Sequence, residues 1–164
     1  MASTVMPPDS NAGSGDSASL HWRALEGLYG SAPVNGLFES RLEVVAEGIS
    51  RIHFNVTRSC FHAAGAAHGT IYFKMLDDAA FYAANSMVSD RFLLTTGFNL
   101  HFTKPLRGGE VVAEGRWISG KRRVFIAEAH LVDEDGEEVG RGTGTFMRSH
   151  IALSGLPGYR VTAA

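Results

Sequence analysis

The sequence has little of several features that would point to particular classes of protein. Its single cysteine, Cys60, cannot form a disulfide within the chain, which suits a reducing compartment. It has no run of about 18 apolar residues, so no transmembrane helix is expected. The formal net charge of −2 provides no basic surface for nucleic acid. The first residues lack a basic segment followed by an apolar run, so no targeting peptide is expected and a cytoplasmic location is predicted.

The length of the chain and its apolar residues are sufficient for one folded domain. The chain has 164 residues, of which 45% are apolar, and a chain of this size can bury a single core. Residues 1–19 are rich in Ser, Gly, Pro and Asp, which predicts a disordered lead-in. The folded domain is predicted over 20–150 and a C-terminal tail over 151–164.

Periodicity and turn residues predict the order of the elements. Helical spacing of apolar residues predicts a first helix at 20–29 that ends at Gly30, and a long helix at 68–86 after a loop. Alternation predicts six strands, at 41–46, 49–57, 99–102, 111–118, 124–132 and 138–147. This order predicts an α+β fold in which an antiparallel sheet packs its concave face on one helix.

The predicted helix at 68–86 is apolar almost all round, so other structure is expected to wrap it. At about 100° per residue, Lys74, Asp78 and Asn85 fall on one side and form its polar stripe. Asp78 follows Lys74 by one turn, so a solvated ion pair between them is predicted.

Asp77 points about 100° away from that stripe, towards an apolar flank. Its neighbours one turn away include Phe73 and Phe81. A carboxylate in such surroundings must be paired, protonated or used in chemistry. Asp77 is therefore the predicted catalytic carboxylate.

Several residues around this helix are spaced as in a known family. The residues that carry the match are Gly65, His68-Gly69, Asp77, Ala79, Asn85-Ser86, Thr95, Phe98 and 102–105. In this spacing the chain resembles the hotdog-fold acyl-CoA thioesterases, most nearly the phenylacetate-degradation branch. The resemblance spans residues 20 to 148 or so. It implies a hotdog fold, in which about six antiparallel strands wrap around one long central helix.

The resemblance implies roles for four residues in hydrolysis of an acyl-CoA without metal or redox cofactor. Asp77 matches the catalytic carboxylate, as general base or nucleophile, and Thr95 matches a Ser/Thr that helps to place the attacking water. Gly69 matches the backbone N–H that polarises the thioester carbonyl at the start of the helix. His62 stands where the family usually has Asn or Gln beside that carbonyl. Thr70 departs from the family, which has a second glycine there.

Other side chains are candidates for contact with the substrate. His68 is predicted to hold the loop before the helix by hydrogen bonding. Phe73, Phe81, Tyr82 and Phe98 could line an aromatic or a medium-chain aliphatic acyl pocket. The turn Lys121-Arg122-Arg123 is either a solvated turn or a site for coenzyme A phosphates, and Arg107 is a weaker candidate of the same kind.

Two other uses of the polar residues are less favoured. Cys60 and His62 are two positions apart, but a buried, inert thiol is preferred over a nucleophile and base pair. The seven histidines show no metal-ligand spacing, so no metal site is expected. The alternative functions left open are a hotdog dehydratase or hydratase and a non-catalytic acyl-CoA sensor.

The strand after the long helix bears on the oligomeric state. An exposed sheet edge invites pairing with another chain. The resemblance implies that this strand pairs with its twin across a two-fold axis. Each active site would then combine Gly69 and His62 of one chain with Asp77 and Thr95 of the other. A homodimer is expected, with pairing of dimers into a tetramer as a further possibility.

Overall fold

Six antiparallel strands form one sheet around a long helix in the computed structural model, which describes residues 12–162. The helices and strands, in chain order, are α1 (Ala12–Ser31), β1 (Arg41–Ala46), β2 (Ile49–Val56), α2 (Gly69–Asn85), β3 (Arg91–Phe102), β4 (Gly109–Ser119), β5 (Val124–Val132) and β6 (Glu138–Ala152). Three short 3-10 helices complete the fold, η1 (Pro33–Leu37), η2 (Arg58–Cys60) and η3 (Leu153–Gly155). The predicted order of elements and the α+β class are confirmed.

The sheet has the strand order β1-β2-β4-β5-β6-β3, so β1 and β3 are its edges. The helix α2 contacts all six strands, and the core lies between α2 and the inner face of the sheet. No helix within residues 12–162 is long and apolar enough to cross a membrane.

The strand β3 begins at Arg91 and is much longer than the predicted strand at 99–102. It pairs along its length with β6, which itself continues to Ala152. The pairing register shifts between Thr95 and Gly97, so the inward and outward alternation is broken there. That break removes the period-two pattern by which the first half of β3 could have been recognised.

Both predicted domain boundaries differ from the structure. Residues 12–19, predicted as part of a disordered lead-in, are the first turns of α1, because a helix that is already formed gains a backbone hydrogen bond with each added residue. Residues 1–11 lie outside the described residues. At the other end, Leu153 is fully buried and the Tyr159 hydroxyl lies 2.7 Å from His21 Nδ1. The segment predicted as a tail is therefore packed on the domain as far as Tyr159.

Small residues bring α2 close to the sheet. A Cβ atom at Gly115 of β4 would lie 2.0 Å from the carbonyl oxygen of Ala79, so only glycine fits there. The Ser50 hydroxyl donates to the same oxygen at 2.7 Å. These contacts set the depth of α2 on the sheet, and so the position of Asp77 relative to the edge strand β3.

The glycines of β6 make room for an aromatic side chain of β3. A Cβ atom at Gly142 or Gly144 would lie 2.4 or 2.7 Å from the ring of Phe98. That ring packs edge-on against Phe73 of α2, with 5.7 Å between the ring centroids. Phe73 and Phe98 therefore serve in packing between α2 and the sheet edge.

Candidate active site

Asp77 lies half-buried on α2, opposite Thr95 of the edge strand β3. The Thr95 hydroxyl donates to Asp77 Oδ1 at 3.1 Å and lies 3.4 Å from Oδ2. Burial raises the pKa of the Asp77 carboxyl to about 6, and the charge of Asp78 adds to the rise while Thr95 and Lys74 oppose it. A carboxylate with such a pKa is a stronger base than one in water.

Asp78 pairs with Lys74 as predicted, but the pair is not solvated. The two side chains are only 20% and 14% exposed. The Lys74 ammonium also donates to Asn35 Oδ1 at 2.6 Å and lies 5.2 Å from the ring centroid of Tyr29. The prediction of a solvated pair was wrong because the end of α1 and the η1 helix cover this side of α2. Burial raises the pKa of Asp78, against the opposing charge of Lys74.

The start of α2 presents a free backbone donor. His68 caps the helix by accepting a hydrogen bond on Nδ1 from the Thr70 N–H at 3.2 Å. Its side chain therefore bonds to the first turn of the helix, whereas the prediction placed its hydrogen bond on the preceding loop. Among the described residues, the Gly69 N–H has no acceptor, as is usual in the first turn of a helix. A Cβ atom at Gly69 would lie 3.1 Å from Phe102 Cζ, so that ring lies against the glycine.

His62 lies exposed on the loop before α2. Its Nδ1 accepts a hydrogen bond from the Ala64 N–H at 3.0 Å, so in the neutral ring the proton is on Nε2. His62 thus offers one N–H donor beside the start of the helix. The Cys60 sulfur lies 3.9 Å from Thr57 Oγ1, and His62 Nδ1 is already occupied by Ala64, so the two residues do not form a nucleophile and base pair.

Two cavities contain these residues. The carboxylate cavity, of about 280 Å³, is lined by Tyr29, Ala32, Val34, Asn35, Lys74, Asp77, Asp78, Phe81, Tyr82, Phe92, Leu93, Leu94 and Thr95. The helix-start cavity, of about 360 Å³, is lined by His62, Ala66, Ala67, Gly69, Tyr72 and 102–105. Of the four predicted aromatic residues, Phe81 and Tyr82 line the carboxylate cavity, whereas Phe73 and Phe98 pack on each other.

One chain does not bring the four predicted catalytic residues together. Gly69 and Asp77 are separated by about two turns of α2, or about 12 Å along its axis. The carboxylate cavity contains Asp77 and Thr95, the helix-start cavity contains Gly69 and His62, and the two share no lining residue. Within a single chain, the base and the carbonyl-polarising donors are therefore in separate places.

The predicted phosphate-binding cations lie at opposite ends of the sheet. Lys121, Arg122 and Arg123 are exposed in the turn between β4 and β5, and the Arg123 carbonyl accepts from the Arg148 N–H at 2.8 Å. At this end of the sheet, Phe125 of β5 pairs with Phe146 of β6, and Phe146 also pairs with Thr95 of β3. The turn therefore lies at the end of the sheet that carries Thr95. Arg107 is exposed in the loop between β3 and β4, at the end that carries the helix-start cavity.

Asn35 is a buried site residue that sequence reasoning missed. Its side chain joins Lys74, 39 positions later in the chain, to the carbonyl of Tyr29. The dipeptide Asn35-Gly36 is typical of a turn, but nothing local shows that this turn reaches α2. Within residues 12–162, no group of three or more His, Cys, Asp or Glu side chains is placed to hold a metal ion.

Comparison with known proteins identifies the fold. The thioesterase superfamily matches residues 64–140. The PaaI protein of the Escherichia coli phenylacetic acid degradation operon superposes with a TM-score of 0.75 at 17% identity, covering 83% of this chain and 98% of that one. The chain has the hotdog fold of the thioesterase superfamily.

Other proteins are similar to this chain in structure or in sequence. A phenylacetic acid degradation-related protein of Ralstonia eutropha, described as a putative thioesterase, is 24% identical, with a TM-score of 0.67 over 76% of this chain and 98% of that one. A Streptococcus mutans protein solved with bound acetyl CoA is 17% identical, with a TM-score of 0.62 over 67% of this chain and 88% of that one. A putative esterase of Saccharolobus solfataricus is 26% identical over 105 residues, 64% of this chain and 70% of that protein.

Proposed function

We propose that the protein is an acyl-CoA thioesterase, which hydrolyses an acyl thioester to the free acid and coenzyme A. The observation that carries the proposal is the Asp77 carboxyl, which is half-buried, held by the Thr95 hydroxyl and raised in pKa to about 6. The thioesterase superfamily match supports thioester hydrolysis, and the acetyl CoA bound to the Streptococcus mutans relative supports coenzyme A as the thiol.

The chemistry assigns a task to each residue. As general base, Asp77 takes a proton from water while the water oxygen forms a bond to the thioester carbon. The negative charge that develops on the carbonyl oxygen is stabilised by the Gly69 N–H and the His62 Nε2–H. The intermediate then loses the thiolate as the C–S bond breaks, and the proton held by Asp77 passes to the sulfur.

The alternative role of Asp77 is that of a nucleophile. The carboxylate itself would then attack the thioester carbon, and water would hydrolyse the resulting anhydride. A single turnover in isotopically labelled water tests for the nucleophile. The label enters the Asp77 carboxyl only when Asp77 forms an anhydride that water attacks at the Asp77 carbonyl carbon, whereas general-base catalysis places the label in the product acid alone.

The separation of the two cavities supports a site shared between two chains. The edge strand β3 is free to pair with the β3 of a second copy. In an antiparallel pair, the first half of one strand lies beside the end of the other. Thr95 is in the first half, and Phe102, which lies against Gly69, is the last residue. Such a homodimer would therefore bring Asp77 and Thr95 of one chain close to the partner's Gly69 and His62.

The same pairing would gather the predicted phosphate-binding cations. The end of the sheet with Lys121, Arg122 and Arg123 in one chain would lie near the end with Arg107 in its partner. A coenzyme A phosphate group could then be held by cations from both chains, because dense anionic groups require several such donors. We include pairing of two dimers into a tetramer in the proposal.

The direct test is a panel of acyl-CoAs mixed with the purified protein and a thiol-reactive dye. Thiol release by the native chain, lost in Asp77→Asn, is the expected result. Binding without release would contradict the proposal and favour an acyl-CoA sensor. One observation favours that second candidate, because Thr70 replaces a family glycine and its N–H is bound to His68, so a second backbone donor is not available to the carbonyl.

A further inference from the structure

The η1 helix forms one wall of the carboxylate cavity. Val34 and Asn35 of η1, and Ala32 just before it, line the cavity. The apolar residues that line the rest of it include Phe81 of α2 and Phe92 and Leu94 of β3. Val34 is 48% exposed and lines the cavity, so a larger side chain at this position would extend into it. The cavity continues from Asp77 and Thr95 to this apolar wall, so a group bound there would be attached to the reacting carbon.

The position of η1 relative to Asp77 depends on one polar side chain. Asn35 donates through Nδ2 to the Tyr29 carbonyl at 2.7 Å and accepts on Oδ1 from Lys74 at 2.6 Å. Lys74 is one turn before Asp77 on α2, and its other partner is Asp78. The partly buried Lys74 therefore links the wall of the cavity to the helix that carries the proposed catalytic carboxylate.

The lining of the cavity favours an apolar occupant. The cavity measures about 280 Å³ in the single chain and is open to solvent, so its volume alone sets no limit on the length of an acyl group. The rings of Phe81, Tyr82 and Phe92 provide edges and faces on which an aryl or aliphatic acyl group can pack. The wall at Val34 therefore decides how far such a group can extend.

We propose that Val34 is a specificity-determining residue that limits the size of the acyl group, and that Asn35 is a positioning residue that holds this wall through Lys74. The inference deepens the proposed function, because it concerns the acyl end of the same site. It concerns the length or ring size of the acyl group that the wall at Val34 admits. Asn35 does not contact the reacting atoms and acts through the placement of η1.

The test uses thioethers of coenzyme A, which bind but cannot be hydrolysed, with affinities measured by calorimetry. The probes are S-ethyl-, S-hexyl- and S-(2-phenylethyl)-coenzyme A. In Val34→Trp, the larger side chain should weaken binding of the two bulky probes by about tenfold or more and leave S-ethyl binding within about twofold. The control is Val45→Trp, at a valine of β1 that is 39% exposed and does not line the cavity. Equal effects of Val34→Trp and Val45→Trp would overturn the assignment of Val34.

Asn35 is tested by a matched pair of substitutions with the same probes. Asn35→Leu keeps the volume but removes both the acceptor for Lys74 and the donor to the Tyr29 carbonyl, so it should weaken S-hexyl binding and leave S-ethyl binding unchanged. Asn35→Gln keeps an amide oxygen and an amide N–H and should restore part of the S-hexyl affinity. If the S-hexyl and S-ethyl affinities fall equally, in step with the fall in the thermal midpoint, the role of Asn35 is only structural. That result would overturn the positioning assignment.

The binding measurements with thioethers do not depend on whether the protein hydrolyses thioesters. Because thioethers are not hydrolysed, a Val34-dependent preference with no thiol release from any acyl-CoA would contradict the proposed function and support the specificity wall. Thiol release with no effect of Val34→Trp on the preference would do the reverse. Failure of all three probes to bind would contradict both.

Discussion

The Thr95 hydroxyl donates a hydrogen bond to Asp77 Oδ1 at 3.1 Å, and this contact joins the free edge of the sheet to its central helix. The proposed catalytic carboxylate is thereby held against an edge strand of the sheet. Neighbouring Asp78 faces another way and is neutralised by Lys74. The two adjacent aspartates thus have different environments and are expected to have different functions.

Substituting each aspartate should separate these functions. Asp77→Asn should reduce thiol release by about 10²–10⁴-fold, because a general base contributes about that much, and the protein should remain folded. Asp78→Asn should leave turnover within a few fold but lower the thermal midpoint, because it removes the charge that compensates the buried Lys74. Steady-state assays and thermal unfolding measure both effects. Equal losses of activity in the two variants would refute the assignment.

Activity and stability should depend on pH in opposite directions. Since the pKa of Asp77 is raised to about 6, kcat/KM should rise with pH through about 6 and level off above it, as the base loses its proton. The folded chain holds this proton at pH values where the unfolded chain has lost it, so the contribution of Asp77 to stability falls between about pH 4 and pH 6. Above that window, Asp77→Asn should therefore be more stable than the native chain, with the difference vanishing at about pH 4. Denaturant unfolding across pH tests this, and an unchanged difference would contradict it.

His62 should be replaceable by an amide but not by an apolar residue. His62→Ala removes the Nε2–H donor and should lower kcat by about 10²-fold, the usual cost of one oxyanion donor. His62→Asn supplies an amide donor and should keep most of the activity. His150→Ala, at another exposed histidine, is the control and should have no effect. If His62→Ala is fully active, His62 does not polarise the carbonyl.

Two inactive variants should restore each other if the site is shared. Gly69→Pro removes the N–H donor at the first helix position, where proline is tolerated. When Gly69→Pro chains exchange subunits with Asp77→Asn chains, each mixed dimer has one site built only from intact halves. An equal mixture should therefore recover about a quarter of the native activity. Thiol release after exchange measures this recovery, and light scattering measures the oligomer. A fully active monomer would eliminate the shared site.

Much of the fold and part of the site were predictable because their causes are local. The rotation of about 100° per residue along α2 separated Asp77 from Asp78 and paired the latter with Lys74, as the structure has it. In contrast, the start of β3 could not be located, because the irregular register between Thr95 and Gly97 hides the alternation and the length of the strand is set by its pairing with β6.

The sequence by itself determined the order of the elements, the wrapped central helix and the different directions of Asp77 and Asp78, since helical and strand periodicity acts over a few residues. Only the tertiary structure decided that the Lys74 and Asp78 pair is buried, that Asn35 and Val34 border the carboxylate cavity, and that the donors at Gly69 lie apart from Asp77. These features depend on contacts between segments far apart in the chain, and no local pattern of side chains specifies which distant segment covers a given face.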